Sequence, residues 1–201
     1  HILVSSNKLI KNLLDKEATY FLCKKYNIKT PHIYSNIKQI KNKDSKKKYI
    51  QKKKFGHTSI GNLVINKINA NHFKKNYIIQ DFIEGRELTN GVFRNDRGIQ
   101  ILPITEIISE NEFFDYEAKY NGKSNEVTPA EISTELEKKI KDLTYRIYDI
   151  LGMKGIARID YIVNDVGIPF LIEINSVPGM SKESIVPQMI DQSKLKIKLI
   201  L

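Results

Sequence analysis

The sequence has a single cysteine, Cys23, in 201 residues, so an internal disulfide is excluded and a reducing compartment fits. No stretch approaches the roughly 20 consecutive apolar residues that a membrane-spanning helix needs. Together these absences lead us to expect a cytoplasmic protein with no membrane partner. Arginine is missing from the densest basic run, "KNKDSKKKYIQKKK" (41 to 54), whose one aromatic is Tyr49. The net charge of +10, from 33 Lys and Arg against 23 Asp and Glu, is therefore read as a Lys-rich solvated surface. A small polyanion such as a nucleotide is equally compatible with that charge. There is no internal repeat, and no low-complexity linker beyond the Lys run.

What is present is a chain of ordinary globular composition, 41% apolar and 28% charged. Its length allows one large domain or two small ones sharing a cleft. Apolar spacing predicts a helix over 9 to 28, broken by Pro31, with Cys23 in its core-facing stripe. "KKYIQKKK" reads as a strand, "FGHTSIGN" as a glycine-bounded loop and "NYIIQDFIEG" as a strand ending at Gly85. Residues 86 to 108 alternate as a hairpin turning at Asn95 to Gly98. Residues 109 to 130 read as a long loop, either functional or disordered. The helix that follows is predicted to open on a capping box of Thr128 and Glu131, with Pro129 at its first position, and to close at Gly152. Two strands, "GIARIDYIVN" and "IPFLIEIN", follow around a "DVG" turn, and the last twenty residues look helical.

The chemistry gathers in those two strands. Glu173 and Asn175 interrupt the apolar run of "FLIEINSVPGM" two positions apart, so a strand turns both to one face. If the hairpin loop has an even number of residues, Arg158, Asp160, Glu173 and Asn175 share that face. Partly buried carboxylates need a partner or a metal, and few hard oxygen ligands suit Mg²⁺ that keeps waters and bridges phosphates. A purely structural Arg–Asp–Glu cluster is the rival. The tight turn "SVPGM", whose backbone N–H groups can meet an anion, favours the ligand site.

The string "ARIDYIVNDVGIPFLIEINSVPGMSKESIVP" (157 to 187) resembles the C-terminal signature of D-alanine–D-alanine ligases, members of the ATP-grasp superfamily. "LLDKEAT", "IEGRELTNGVF" and "FFDYEAKYNGKSNEVTPA" resemble further family segments, in family order, from about Val4 to Ile190. The resemblance implies an α+β ATP-grasp fold, with subdomains of residues 1–84 and 85–201 whose mixed or antiparallel sheets enclose a nucleotide cleft. It implies ATP and two Mg²⁺ ions as cofactors, with Mn²⁺ admissible, and D-alanine as substrate. Asp160, Glu173 and Asn175 would hold the metal. Arg158, the backbone N–H of Gly179 and Tyr120 would serve catalysis, the first two by stabilising a tetrahedral intermediate.

Lys16, Lys52 and Lys119 would contact phosphates, Glu87 the ribose, and backbone from Gln80 to Ile83 the adenine. Ser184 and Ile185 would meet the carboxylate of the second amino acid, and residues 109–126 would form a lid excluding water. Each has a plainer reading. Lys16 alone is a solvated helix residue, Lys52 has Lys53 and Lys54 beside it, and Glu87 has Arg86 and Arg94 as rival partners. His57, where the family usually has Gly, reads as a satisfied loop histidine.

Against the family pattern, the segment 62 to 76 is short, Gly56 stands at a frequently acidic position, Gln80 replaces a frequent Glu, and the Pro after the phosphate lysine is missing. The family's N-terminal domain is not in this sequence, so a fragment unable to ligate alone is expected, and a homodimer is left open for the full-length protein. The function expected is ATP-dependent joining of two D-alanines through an acyl phosphate for peptidoglycan precursor synthesis. The alternatives are an ATP-grasp ligase of other substrate choice, or a non-catalytic nucleotide- or RNA-binding module. A convergent acidic set argues against an RNA surface.

Overall fold

Asp15 breaks the helix that apolar spacing predicts over 9 to 28. Helix α1 covers Asn7–Leu14 and α2 covers Lys16–Lys25, with Asp15 extended between them at φ −93° and ψ 109°. The Asp15 carboxylate accepts the N–H groups of Glu17 and Ala18 at 2.9 and 3.1 Å. An aspartate satisfies the orphan donors of a helix start better than it serves a helix interior, so the cap overrides the apolar period. The structure is a computed structural model that describes residues 4–40, 47–56, 61–109 and 124–193.

Among the described residues the strands form two sheets, both antiparallel throughout. The smaller runs β1-β4-β2-β3, from β1 (Ile33–Tyr34), β2 (Tyr49–Lys53), β3 (Leu63–Ile65) and β4 (Tyr77–Asp81). The predicted strands contain β2 and β4, although β4 ends at Asp81 rather than at Gly85, and β1 and β3 are too short to reveal an alternation. Ile40, Tyr49, Ile65 and Ile79 make its core, and Tyr20 of α2 joins Ile33 and Ile78.

The larger sheet runs β7-β6-β5-β8-β9, from β5 (Arg86–Asn95), β6 (Gly98–Ser109), β7 (Ser124–Val127), β8 (Ala157–Val163) and β9 (Pro169–Asn175). Asn95 pairs with Gly98 across the expected hairpin turn. The stretch 109 to 130 is not all loop: β7 pairs with the outer edge of β6, Glu106 opposite Val127. Residues 110–123 lie outside the described residues, and so do 194–201 of the expected C-terminal helix.

Helix α3 (Thr134–Ile150) begins later than the capping-box pattern suggests. Thr128 instead meets Thr105, hydroxyl to hydroxyl, at 2.6 Å, and the Ala130 N–H donates to the Ile104 carbonyl at 2.8 Å. Attachment to the sheet keeps this stretch from coiling, and Ser133 becomes the cap, accepting the Leu136 N–H at 3.2 Å. The helix closes at Gly152 as expected, with φ +58° and the Met153 N–H returning to the Tyr148 carbonyl.

Ile140, Ile147 and Tyr148 of α3 recur at helical spacing and pack on Leu88, Ile104, Ile159, Tyr161 and Leu171 of the larger sheet. Leu13, Cys23 and Ile28 enter the same core from α1, α2 and the segment after them. The opposite face is covered differently. Helix α4 (Ile185–Gln192) seats Ile185, Val186, Met189 and Ile190 on Phe93 and Leu102, over the β5–β6 end only. Gly91 makes room for it, since a Cβ there would lie 2.7 Å from Leu102 Cδ1 and 3.0 Å from Met189 Sδ. Toward β8 and β9 this face carries charged and polar side chains.

Candidate active site

Strand β8 alternates cleanly: Ala157, Ile159, Tyr161 and Val163 are buried, and Arg158, Asp160 and Ile162 turn the other way. Across it on β9, Asn175 stands opposite Arg158 and Glu173 opposite Asp160. Directly opposed residues share a face, so the four expected side chains are brought together. The route is not the expected even loop. Residues 164–168, an odd number, separate the paired Val163 and Pro169. A bulge then shifts the pairing from Tyr161/Leu171 to Asp160/Glu173, leaving Ile172 as the extra residue. Without that bulge Glu173 would point into the core.

Arg158 grips Asp160 in two bonds, Nε to Oδ1 and Nη2 to Oδ2, each 2.9 Å. Thr89 of β5 donates its hydroxyl to Asp160 Oδ1 at 2.5 Å. Burial works against the Arg158 charge, yet Asp160, with Glu173 and Glu87 behind it, outweighs burial and raises the guanidinium pKa. Asn175 accepts the Val177 N–H at 3.2 Å. Glu87 of β5 lies opposite Ile162 on the same face. Its rival partners are engaged elsewhere, Arg86 by Glu106 at 2.7 Å and Arg94 by Asp149 at 3.0 Å.

Lys16 reaches this face from the start of α2. Burial lowers its pKa, while the charges of Glu173 and Asp15 act in the opposite sense. Its ammonium donates to the Gly56 carbonyl. The segment bearing Gly56 is stitched to the α1–α2 junction: the Lys16 N–H donates to the Lys54 carbonyl at 2.9 Å and the Gly56 N–H to the Leu14 carbonyl at 3.0 Å. Lys54 is taken by Glu17 at 2.5 Å, with Asp15 at 3.7 Å.

The remaining expected residues are more spread. Lys52 is half-buried on β2 opposite Ile78, and Gln80 is buried on β4 opposite Ile50. Ile83, with Phe82, Gly85, Lys48 and Phe170, lines a groove of about 730 Å³ beside the segment joining the sheets. Asp160, Glu173 and Asn175 are not among its walls. Gly85 lies so close to β8 that a Cβ would fall 2.0 Å from the Val163 carbonyl oxygen. Gly179 packs on Ser184, where a Cβ would lie 2.8 Å from Oγ. Ser184 caps α4 without a side-chain bond to it and meets Ser181 Oγ at 2.9 Å. The Ile185 side chain is buried under α4, so its polar contribution is the backbone N–H of the helix start. Lys119, Tyr120 and His57 lie outside the described residues. Thr89 was not anticipated, although counting by twos along β5 from Glu87 reaches it.

Among the described residues no three His, Cys, Asp or Glu side chains gather as a metal cage. Asp160, Glu173 and Asn175 offer two carboxylates and one amide oxygen, all hard donors, with Asp160 already paired to Arg158. Few protein ligands of this kind fit Mg²⁺ sharing its sphere with water and phosphate.

Two antiparallel sheets, with a lysine-bearing junction turned to an acidic face, define an ATP-grasp fold. Its likeness to D-alanyl-alanine synthetase A of Vibrio cholerae has a TM-score of 0.80 at 17% identity, over 96% of this chain and 64% of that one. The D-alanine–D-alanine ligase of Bacillus anthracis, solved in complex with ATP, gives a TM-score of 0.72 at 26% identity, over 98% of this chain and 68% of that one. The family described as D-ala D-ala ligase C-terminus matches residues 58–201, and the chain belongs to it. The D-alanine–D-alanine ligase of Parabacteroides distasonis is 49% identical over 121 residues, 60% of this chain and 37% of that protein. The match thus spans little more than a third of that relative.

Proposed function

We propose that this chain is the ATP- and metal-binding part of a ligase that joins two D-alanines for peptidoglycan precursor synthesis. The observation that carries the reading is the cross-strand set of Arg158, Asp160, Glu173 and Asn175, with the desolvated Lys16 beside it. Residues 1–84 and 85–201 act as the two subdomains, and nucleotide lies between their sheets. Asp160, Glu173 and Asn175 would hold two Mg²⁺ ions, or Mn²⁺ in their place. Bound there, Mg²⁺ would offset the charge of the phosphates against an approaching carboxylate.

The chain's own residues do the rest. Lys16, Lys52 and Lys119 neutralise phosphate oxygens, Glu87 orients the ribose, and backbone from Gln80 to Ile83 receives the adenine. One D-alanine carboxylate attacks the γ-phosphate of ATP, expels ADP and becomes an acyl phosphate. The second amino group attacks that carbonyl and expels phosphate. Arg158 and the Gly179 N–H stabilise the oxyanion of that step. Ser184 and the Ile185 N–H, at the positive end of α4, hold the second carboxylate. Tyr120 and its loop exclude water. A cytoplasmic setting belongs to the same proposal, and so does the absence of a nucleic-acid partner, which is supported by Arg86, Arg94 and Arg158 each being engaged by a carboxylate rather than arrayed for phosphodiesters.

The test is thermal unfolding with a non-hydrolysable ATP analogue, with and without Mg²⁺. At about 100 times Kd, mass action adds roughly 2.7 kcal/mol of stability. We expect that gain to need Mg²⁺ and to vanish in Glu173→Ala. A chain that gains nothing from analogue plus Mg²⁺ would refute the reading.

A further inference from the structure

Asp160 is held from two directions that differ in kind. Arg158 approaches along its own strand, two residues away, on a long side chain that is 24% exposed. Thr89 approaches from the neighbouring strand, wholly buried and in direct register with Asp160 on one side and Thr105 on the other. A threonine hydroxyl has one proton to donate. Here it lies 2.5 Å from Asp160 Oδ1 and 3.4 Å from the Ile159 carbonyl, so the carboxylate receives it. Packing does not demand the hydroxyl, because valine fills the same volume and suits a central strand.

We propose that Thr89 is a positioning residue for Asp160. The inference rests on reading this face as a site for Mg²⁺ and nucleotide. Arg158 bonds each carboxylate oxygen once and Thr89 takes a second lone pair of Oδ1, which leaves the other lone pair of Oδ2 to a cation. A carboxylate drawn toward a cation on Oδ2 can turn about two side-chain bonds. The Thr89 hydroxyl, fixed on the central strand, keeps the carboxylate plane in place as the cation binds.

The test uses Mn²⁺ as probe, in the presence of ADP, its free concentration followed by electron paramagnetic resonance, with unfolding curves for every variant. Thr89→Val is expected to stay folded and to bind Mn²⁺ about 10–100-fold more weakly. Thr89→Ser, which keeps the hydroxyl and loses the methyl group, is expected to recover most of the affinity. Should Thr89→Val not fold, Ser and Ala at this position differ only in the hydroxyl, and Ser is expected to bind more tightly. Equal affinity of the valine variant and the unaltered chain, or of the serine and alanine variants, overturns the proposal. So does a serine variant as weak as the valine one. Failure of the unaltered chain to bind Mn²⁺ with ADP overturns the site reading itself, and this inference with it.

Discussion

Asp160 and Glu173 oppose each other across β8 and β9 only because Ile172 drops out of the pairing. Two carboxylates are thereby set side by side, and Arg158 is the cation bonded to Asp160, which is 13% exposed. Removing one partner of an enclosed pair leaves the other charge uncompensated. We expect Arg158→Met to lose about 2–3 kcal/mol in urea unfolding, less than a fully buried pair would lose because the arginine is partly exposed. Millimolar Mg²⁺ should restore more stability to this variant than to the unaltered chain. A variant that gains no stability from Mg²⁺ would mean that the face does not accept a divalent cation.

The break between α1 and α2 makes a separate expectation. Asp15→Ala removes the cap of α2 and one carboxylate near Lys54, and should cost about 1 kcal/mol. Asp15→Asn keeps an acceptor oxygen and should recover most of that loss. Urea midpoints of the three proteins decide it, and an alanine variant as stable as the unaltered chain would show that the cap is idle.

Burial pushes the Cys23 thiol from its ordinary 9.0 up to about 12. The folded chain therefore keeps this proton at pH values where the unfolded chain has lost it. The contribution to stability is complete below pH 9 and is lost between about 9 and 12, since only the unfolded state binds fewer protons there. At 1.36 kcal/mol per pH unit the loss approaches roughly 4 kcal/mol across the window. Unfolding free energies at pH 8 and 10 should fall more steeply for the native chain than for Cys23→Ala. Parallel slopes would contradict a buried thiol.

Legibility in the sequence followed how local each determinant is. The alternation of β8, the Asn95–Gly98 turn and the glycine closing α3 are set by neighbours in the chain, and all three are found where period and turn chemistry put them. Thr128 and Glu131 have the letters of a helix start, but the Ala130 backbone between them bonds to the sheet, a partnership no local pattern records. The bulge was hidden for another reason. In "FLIEIN" three apolar residues precede Glu173, and nothing in their chemistry says which one is supernumerary. The correct face was reached through an incorrect loop parity. Thr89 escaped because a hydroxyl in a buried strand gains meaning only from what stands beside it.

Lys16 has one neighbour from each of the two sheets' surroundings. Its proton is given to a carbonyl on the segment leading from the small sheet, and its charge is felt by a carboxylate on the large one. In the function proposed here, a swing that parts the sheets would draw the ammonium away from one of these neighbours. A polyphosphate between the sheets would offer it a replacement, so both effects would meet in one atom.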